Sequence, residues 1–174
     1  MILLSGADLV LPDRVLTGTL LIDGDRISEI APGEQELPPE GGSYGDVSFA
    51  FRDHYVVPGF IDVHVHGLEG IDTLDGGAAI ATMAERMPRF GVTAFCPTTV
   101  ACTPAHLHDV LAQVRRLREA PDPSAARVLP AHLESNFLNP EWRGAQPAAC
   151  IRACGAIPDP LPHGSSTRAL EFSA

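Results

Sequence analysis

Between residues 56 and 138 the hydrophobic period switches repeatedly from that of a strand to that of a helix, and this alternation restricts the fold more than any other property of the chain. Val56 to His66 is a strongly apolar run, fit for a buried parallel strand. Ala78 to Phe90 carries a helical pattern with Pro88 in its last turn and ends at Gly91, which suits a left-handed C-terminal cap. Val92 to Val100 forms a second strand pattern. Thr103 and Pro104 then supply an N-cap and a first-turn residue. Leu107, Val110, Leu111, Val114 and Leu117 make an apolar stripe on the helix that follows. Arg127 to Leu138 forms a third strand pattern. The β-α-β-α-β order predicts right-handed crossovers onto a parallel sheet, hence an α/β fold.

The flanks follow other rules. Residues 2 to 30 are short apolar runs punctuated by Pro12-Asp13 and by Asp23-Gly24-Asp25, the pattern of a hairpin-rich β segment. Residues 31 to 46 are dense in Pro, Gly and Glu and read as a surface loop. Residues 151 to 174 hold Pro158, Pro160 and Pro162 and neither period, so poor order is expected there. The expected sections are 1–55, 56–150 and 151–174.

Composition narrows the function. With 174 residues, 45% of them apolar, the chain can bury a sizeable core. A net charge of -10 leaves no basic patch to displace counterions from phosphates, which argues against a nucleic-acid partner and for a small-molecule ligand. The N-terminus has no basic region ahead of its apolar residues, and no apolar run approaches the roughly 20 residues of a membrane helix. A cytoplasmic protein with no membrane partner is expected. Cys96, Cys102, Cys150 and Cys154 form no C-x-x-C pair and are expected to be reduced thiols. All twelve basic residues are arginine, which removes Schiff-base chemistry and a carbamylated-lysine metal bridge.

The chemistry concentrates in two places. On a strand, residues i and i+2 share a face about 6.6 Å apart, so His64 and His66 can converge on one metal ion. The Pro58-Gly59 entry, the apolar strand and the Gly67 exit place them at a strand's C-terminal end, where parallel α/β folds carry their sites. His106 and His108 have the same spacing but lie in a predicted helix, where two residues span about 200°, so they face apart as surface side chains. His132 and Glu134 share a face of the third strand, and a carboxylate in so apolar a setting needs a cation or a hydrogen-bond partner. Thr98 and Thr99 sit at a strand end and shape the pocket. Asp159 and His163 lie among prolines that exclude a barrel strand, and are set aside.

Val57 to Gly67 resembles the first-strand signature of the amidohydrolase superfamily, and His132 to Pro147 is similar to the third-strand motif of the N-acetylglucosamine-6-phosphate deacetylases. Gly91 to Thr99 also matches, so the resemblance covers roughly residues 1 to 150. Ser135-Asn136 departs from the Gly-Pro that many members carry after the Glu, which puts the shape of that loop in question. The resemblance implies a (β/α)₈ TIM-type barrel beside a small β-sandwich, hydrolysing the acetamide of N-acetylglucosamine 6-phosphate to glucosamine 6-phosphate and acetate in amino-sugar catabolism. It implies one or two divalent metal ions, zinc above all, which lower the pKa of a water and polarise the carbonyl. Carried over by motif, His64 and His66 hold a metal found in only some members, Glu134 ligates the principal or bridging metal, and Ala145 and Gln146 touch the sugar.

The family takes two further metal-binding histidines and a general-base Asp from later strands, whereas a barrel needs about 250 residues. Residues 56 to 174 have room for three strands, so none of those groups is expected here and the chain alone is expected to be inactive. The change of character after Cys150 is expected to mark a frameshift, an early stop or a misplaced gene end. Open strand edges then predict poor solubility or a homo-oligomer. Two alternatives stay open: another amidohydrolase, dihydroorotase-like or deaminase-like, and a non-catalytic remnant that binds metal weakly.

Overall fold

Tight turns between short apolar runs build the first part of the chain into one mixed sheet. The computed structural model describes residues 1–34, 47–134 and 136–152. The chain divides into two units, Met1–Gly59 and Phe60–Ala174.

In the first unit, β1 (Ile2–Val10), β2 (Val15–Asp23) and β3 (Arg26–Pro32) form successive antiparallel hairpins, while β4 (Val47–Ala50) and β5 (Tyr55–Val56) pair parallel with β1. Gly6, at φ +77°, accommodates the irregularity between Ser5 and Ala7 where β1 slips against β2. Ala7, Leu9 and Leu20 are buried from one face, against Leu4, Leu11, Ile22, Phe51 and Val56. The described residues of this unit make one sheet. The expected loop over 31–46 begins later than anticipated, because Ala31 and Pro32 complete β3; residues 35–46 lie outside the described residues.

The second unit contains the β-α-β-α-β order. Its elements are β6 (Phe60–Val65), the short hairpin β7 (Gly67–Leu68) and β8 (Ile71–Asp72), α1 (Ala79–Arg86), β9 (Val92–Thr99), α2 (Pro104–Glu119), β10 (Arg127–Val128) and β11 (His132–Leu133). β6, β10 and β11 all pair parallel with β9, which is the hub of the sheet. Ile80, Met83, Ala84, Met87, Phe95, Val110, Val114, Ala126 and Val128 are buried together between the helices and this sheet.

Prolines explain where the elements differ from the sequence pattern. The apolar run from Val56 to His66 is divided: Val56 closes on β1, and β6 begins only at Phe60, beyond Pro58, which has no N–H for a ladder. Pro88 tightens the end of the first helix into a 3₁₀ turn, Met87–Phe90, which Gly91 caps at φ +76°. Pro130 separates the third strand into β10 and β11, and strand pairing ends at Leu133 rather than Leu138. The tail expected over 151–174 falls outside the described residues beyond Arg152. No helix among the described residues is long and apolar enough to cross a membrane.

Thr103 caps α2 as its spacing predicts, its Oγ1 accepting from the His106 N–H at 3.3 Å. The buried stripe is rotated, however. Val110, Gln113, Val114 and Leu117 face the sheet at i, i+3, i+4 and i+7, while Leu111 is 43% exposed. The Gln113 side chain is thereby buried with neither amide atom hydrogen-bonded. An unsatisfied buried polar group costs about 1–3 kcal/mol. Gln113→Met, which keeps the shape and removes the amide, is expected to stabilise the chain by about 1 kcal/mol. A thermal melt should rise by a few degrees; a lower midpoint would show that Gln113 has a partner in solution.

Candidate metal centre

The strand period brings His64 and His66 to one side of β6, and a break in the ladder completes their approach. The β6–β9 register shifts between Asp62 and Val65. In that interval side chains replace backbone partners: the Val65 N–H donates to Thr98 Oγ1 at 3.0 Å, and the His64 N–H donates to Asp62 Oδ1 at 3.0 Å. The two imidazoles stand nearly perpendicular, at 84°, with their Nε2 atoms 3.1 Å apart.

Glu134 follows β11, which pairs with the end of β9 through His132–Thr98 and Leu133–Thr99, and the Glu134 N–H extends this to Thr99 O at 3.3 Å. Its Oε1 lies 3.2 Å from His64 Nε2 and 3.7 Å from His66 Nε2. His64, His66 and Glu134 thus present three Lewis-basic atoms within 4.8 Å of one another.

The donor set fits a divalent cation. Thr98 O can only accept, so the His66 Nδ1 beside it at 3.2 Å carries the proton, and the Nε2 lone pair is left facing the cluster. His132 Nδ1 likewise donates to Val63 O at 3.0 Å, and its ring stands edge-on to His64, centroids 4.7 Å apart. Ligands about 2.0–2.1 Å from a tetrahedral zinc lie roughly 3.3–3.4 Å from each other. The three observed separations bracket that value. Both imidazoles are about two-fifths exposed, so an ion has access, and three protein ligands leave a coordination position open.

Beyond Glu134 the described residues form no strand, and side-chain hydrogen bonds help to hold them. Asn136 Nδ2 donates to both Cys102 O and Cys150 O at 2.7 Å. The Gln146 amide donates through Nε2 to Glu134 Oε2 and accepts through Oε1 from the Ala101 N–H at 2.6 Å. Ala145 is exposed beside it. His106 and His108 are exposed on α2, as their helical spacing requires. Thr98 and Thr99 are buried, and Thr98 does more than shape a pocket, since it binds both Val65 and His66. The contact of His132 with His64 carried no signal beyond its i, i+2 relation to Glu134. Burial pushes the Cys96 and Cys102 thiols above their usual pKa, which suits reduced, unreactive cysteines. Asp159, His163 and Cys154 lie outside the described residues.

No family model matches the chain. The N-acetylglucosamine-6-phosphate deacetylase of Rattus norvegicus is 43% identical over 105 residues, which cover 58% of this chain and 25% of that protein. The protein of the same name from Bacillus subtilis is 31% identical over 141 residues, 79% of this chain and 34% of that protein. The chain resembles the N-terminal part of an N-acetylglucosamine-6-phosphate deacetylase. It spans about a quarter to a third of the length of these curated relatives. Among solved structures, the deacetylase from Thermotoga maritima superposes with a TM-score of 0.64 at 28% identity, over 87% of this chain and 37% of that one. A mutant of the Mycobacterium smegmatis deacetylase, solved in complex with N-acetyl-D-glucosamine-6-phosphate, superposes with a TM-score of 0.65 at 25% identity, again over 87% and 37%.

Proposed function

We propose that this chain is the opening part of an N-acetylglucosamine-6-phosphate deacetylase, in which the second unit contributes the first βα units of a TIM-type barrel and the first unit belongs to a small β-sandwich. The observation that carries the reading is the convergence of His64, from β6, and His66, the residue after that strand, with Glu134, the residue after β11. Its substrate would be N-acetylglucosamine 6-phosphate and its products glucosamine 6-phosphate and acetate. When bound, a divalent metal such as zinc supplies an electrophile that acidifies water and polarises the acetamide carbonyl.

The chain's own groups do the rest of what is present here. His66, with its proton fixed on Nδ1 by Thr98 O, offers a neutral nitrogen donor; His64 offers a second; Glu134 adds the negative charge. The remaining N–H of the Gln146 amide, beside Glu134, and the exposed Ala145 that precedes it in sequence are the groups set to meet the sugar. In this reading the general base is an Asp supplied by a later strand of the barrel. The chain alone should therefore bind metal without turning over substrate.

The test is acetate release from N-acetylglucosamine 6-phosphate by the zinc-loaded chain, alone and mixed with a polypeptide carrying the remaining strands of a related deacetylase. Release only in the mixture is expected. Release by the chain alone would show that it holds its own general base. No release in any mixture would favour the second reading, a non-catalytic metal-binding remnant. That reading draws support from β6, whose Phe60, Ile61 and Val63 are each about 60% exposed.

A further inference from the structure

We infer that Gln146 is a positioning residue for Glu134: its side-chain amide ties back one carboxylate oxygen, so that the other alone faces the histidine pair. The inference rests on the metal-binding reading given above and goes beyond the sugar contact that motif position implies for Gln146.

The geometry is over-determined. The Gln146 backbone is fixed first, its N–H donating to Arg143 O at 3.1 Å and its carbonyl accepting from Arg143 Nη1 at 2.6 Å. Its side chain then bridges two elements. Ala101, two residues past the end of β9 and buried, donates its N–H to Gln146 Oε1 at 2.6 Å. Because that N–H can only donate, the amide orientation is settled: the oxygen faces Ala101 and the NH₂ group faces Glu134 Oε2. Glu134 Oε1 is left as the atom near His64 Nε2 and His66 Nε2.

Two consequences follow for a bound ion. A carboxylate with one oxygen committed to an amide ligates through the other, so Glu134 is a monodentate ligand. A carboxylate whose rotation is arrested before binding loses less freedom on binding, and partners of this kind are worth about 10- to 100-fold in metal affinity.

Gln146→Met removes both amide contacts at nearly constant volume. The full chain and this variant are titrated with Co²⁺, following the visible absorption bands, with circular dichroism as a check on folding. A 10- to 100-fold weaker affinity is expected, together with an altered cobalt spectrum as Glu134 Oε2 becomes free to ligate. A folded variant with wild-type affinity and spectrum would overturn the inference while leaving the metal site standing. A wild-type chain that binds no cobalt would remove the metal reading and this inference with it. Should Gln146→Met fail to fold, the wild-type chain still decides the matter. The infrared carboxylate bands that change on adding Zn²⁺ should show the wide splitting of a monodentate ligand, and a narrow, bidentate splitting would overturn the inference.

Discussion

Glu134→Ala is expected to lower metal affinity by more than about a hundredfold, a loss beyond the 10- to 100-fold attached to outer-shell partners. The change removes the one charged member of the triad and leaves two imidazole nitrogens 3.1 Å apart. His64→Ala should act in the same direction, because His64 Nε2 is close to both other donor atoms. Competition for Zn²⁺ against a chromophoric chelator measures both. His106→Ala is the control, an exposed histidine on α2 outside the cluster, and should bind as the unaltered chain does. Equal affinity in all four proteins would remove the site from His64, His66 and Glu134. Such a result would point to adventitious binding elsewhere on an acidic surface.

The second large effect concerns the scaffold. Phe95 is fully buried on β9, in contact with the cluster that joins α1, α2 and the sheet. Phe95→Ala is expected to cost about 3–5 kcal/mol, through lost transfer energy and an unfilled cavity. Domains of this size are stable by about 5–15 kcal/mol in total, so the loss is a large fraction of what holds the second unit folded. Urea denaturation followed by circular dichroism reports the loss as a shift of the midpoint. Trp142→Ala removes a larger ring that is 83% exposed, and should stay within about 0.5 kcal/mol of the parent. If the two variants melted together, the cluster around Phe95 would not be the core of this unit.

The order of elements was legible because period decides it. Alternation by two placed His64 and His66 on one face, and the capping residue Thr103 marked the start of α2. What period does not encode is interruption. The breaks at Pro58 and Pro130 follow from a missing N–H, yet an apolar run read by hydropathy passes straight through them. The rotation of α2 shows the same limit: Leu111 suits a buried stripe by composition, but the packing geometry assigns the place to Gln113. The candidate triad was visible as two separate strand motifs. The tie from Gln146 to Glu134 was not, since it spans a segment whose conformation comes from side-chain bonds at Asn136 and Arg143 rather than from a repeating pattern.

β9 carries none of the three candidate ligands, yet it sets the distance between them. Val65 and His66 are bonded to Thr98, while His132 and Leu133 pair with Thr98 and Thr99, and the Glu134 N–H meets Thr99 O. Both halves of the triad are therefore referenced to the same two residues. Bending or fraying elsewhere in the sheet would carry the histidines and the glutamate along together instead of separating them. The gap an ion would occupy is gauged over a span of one dipeptide, too short for the rest of the fold to stretch.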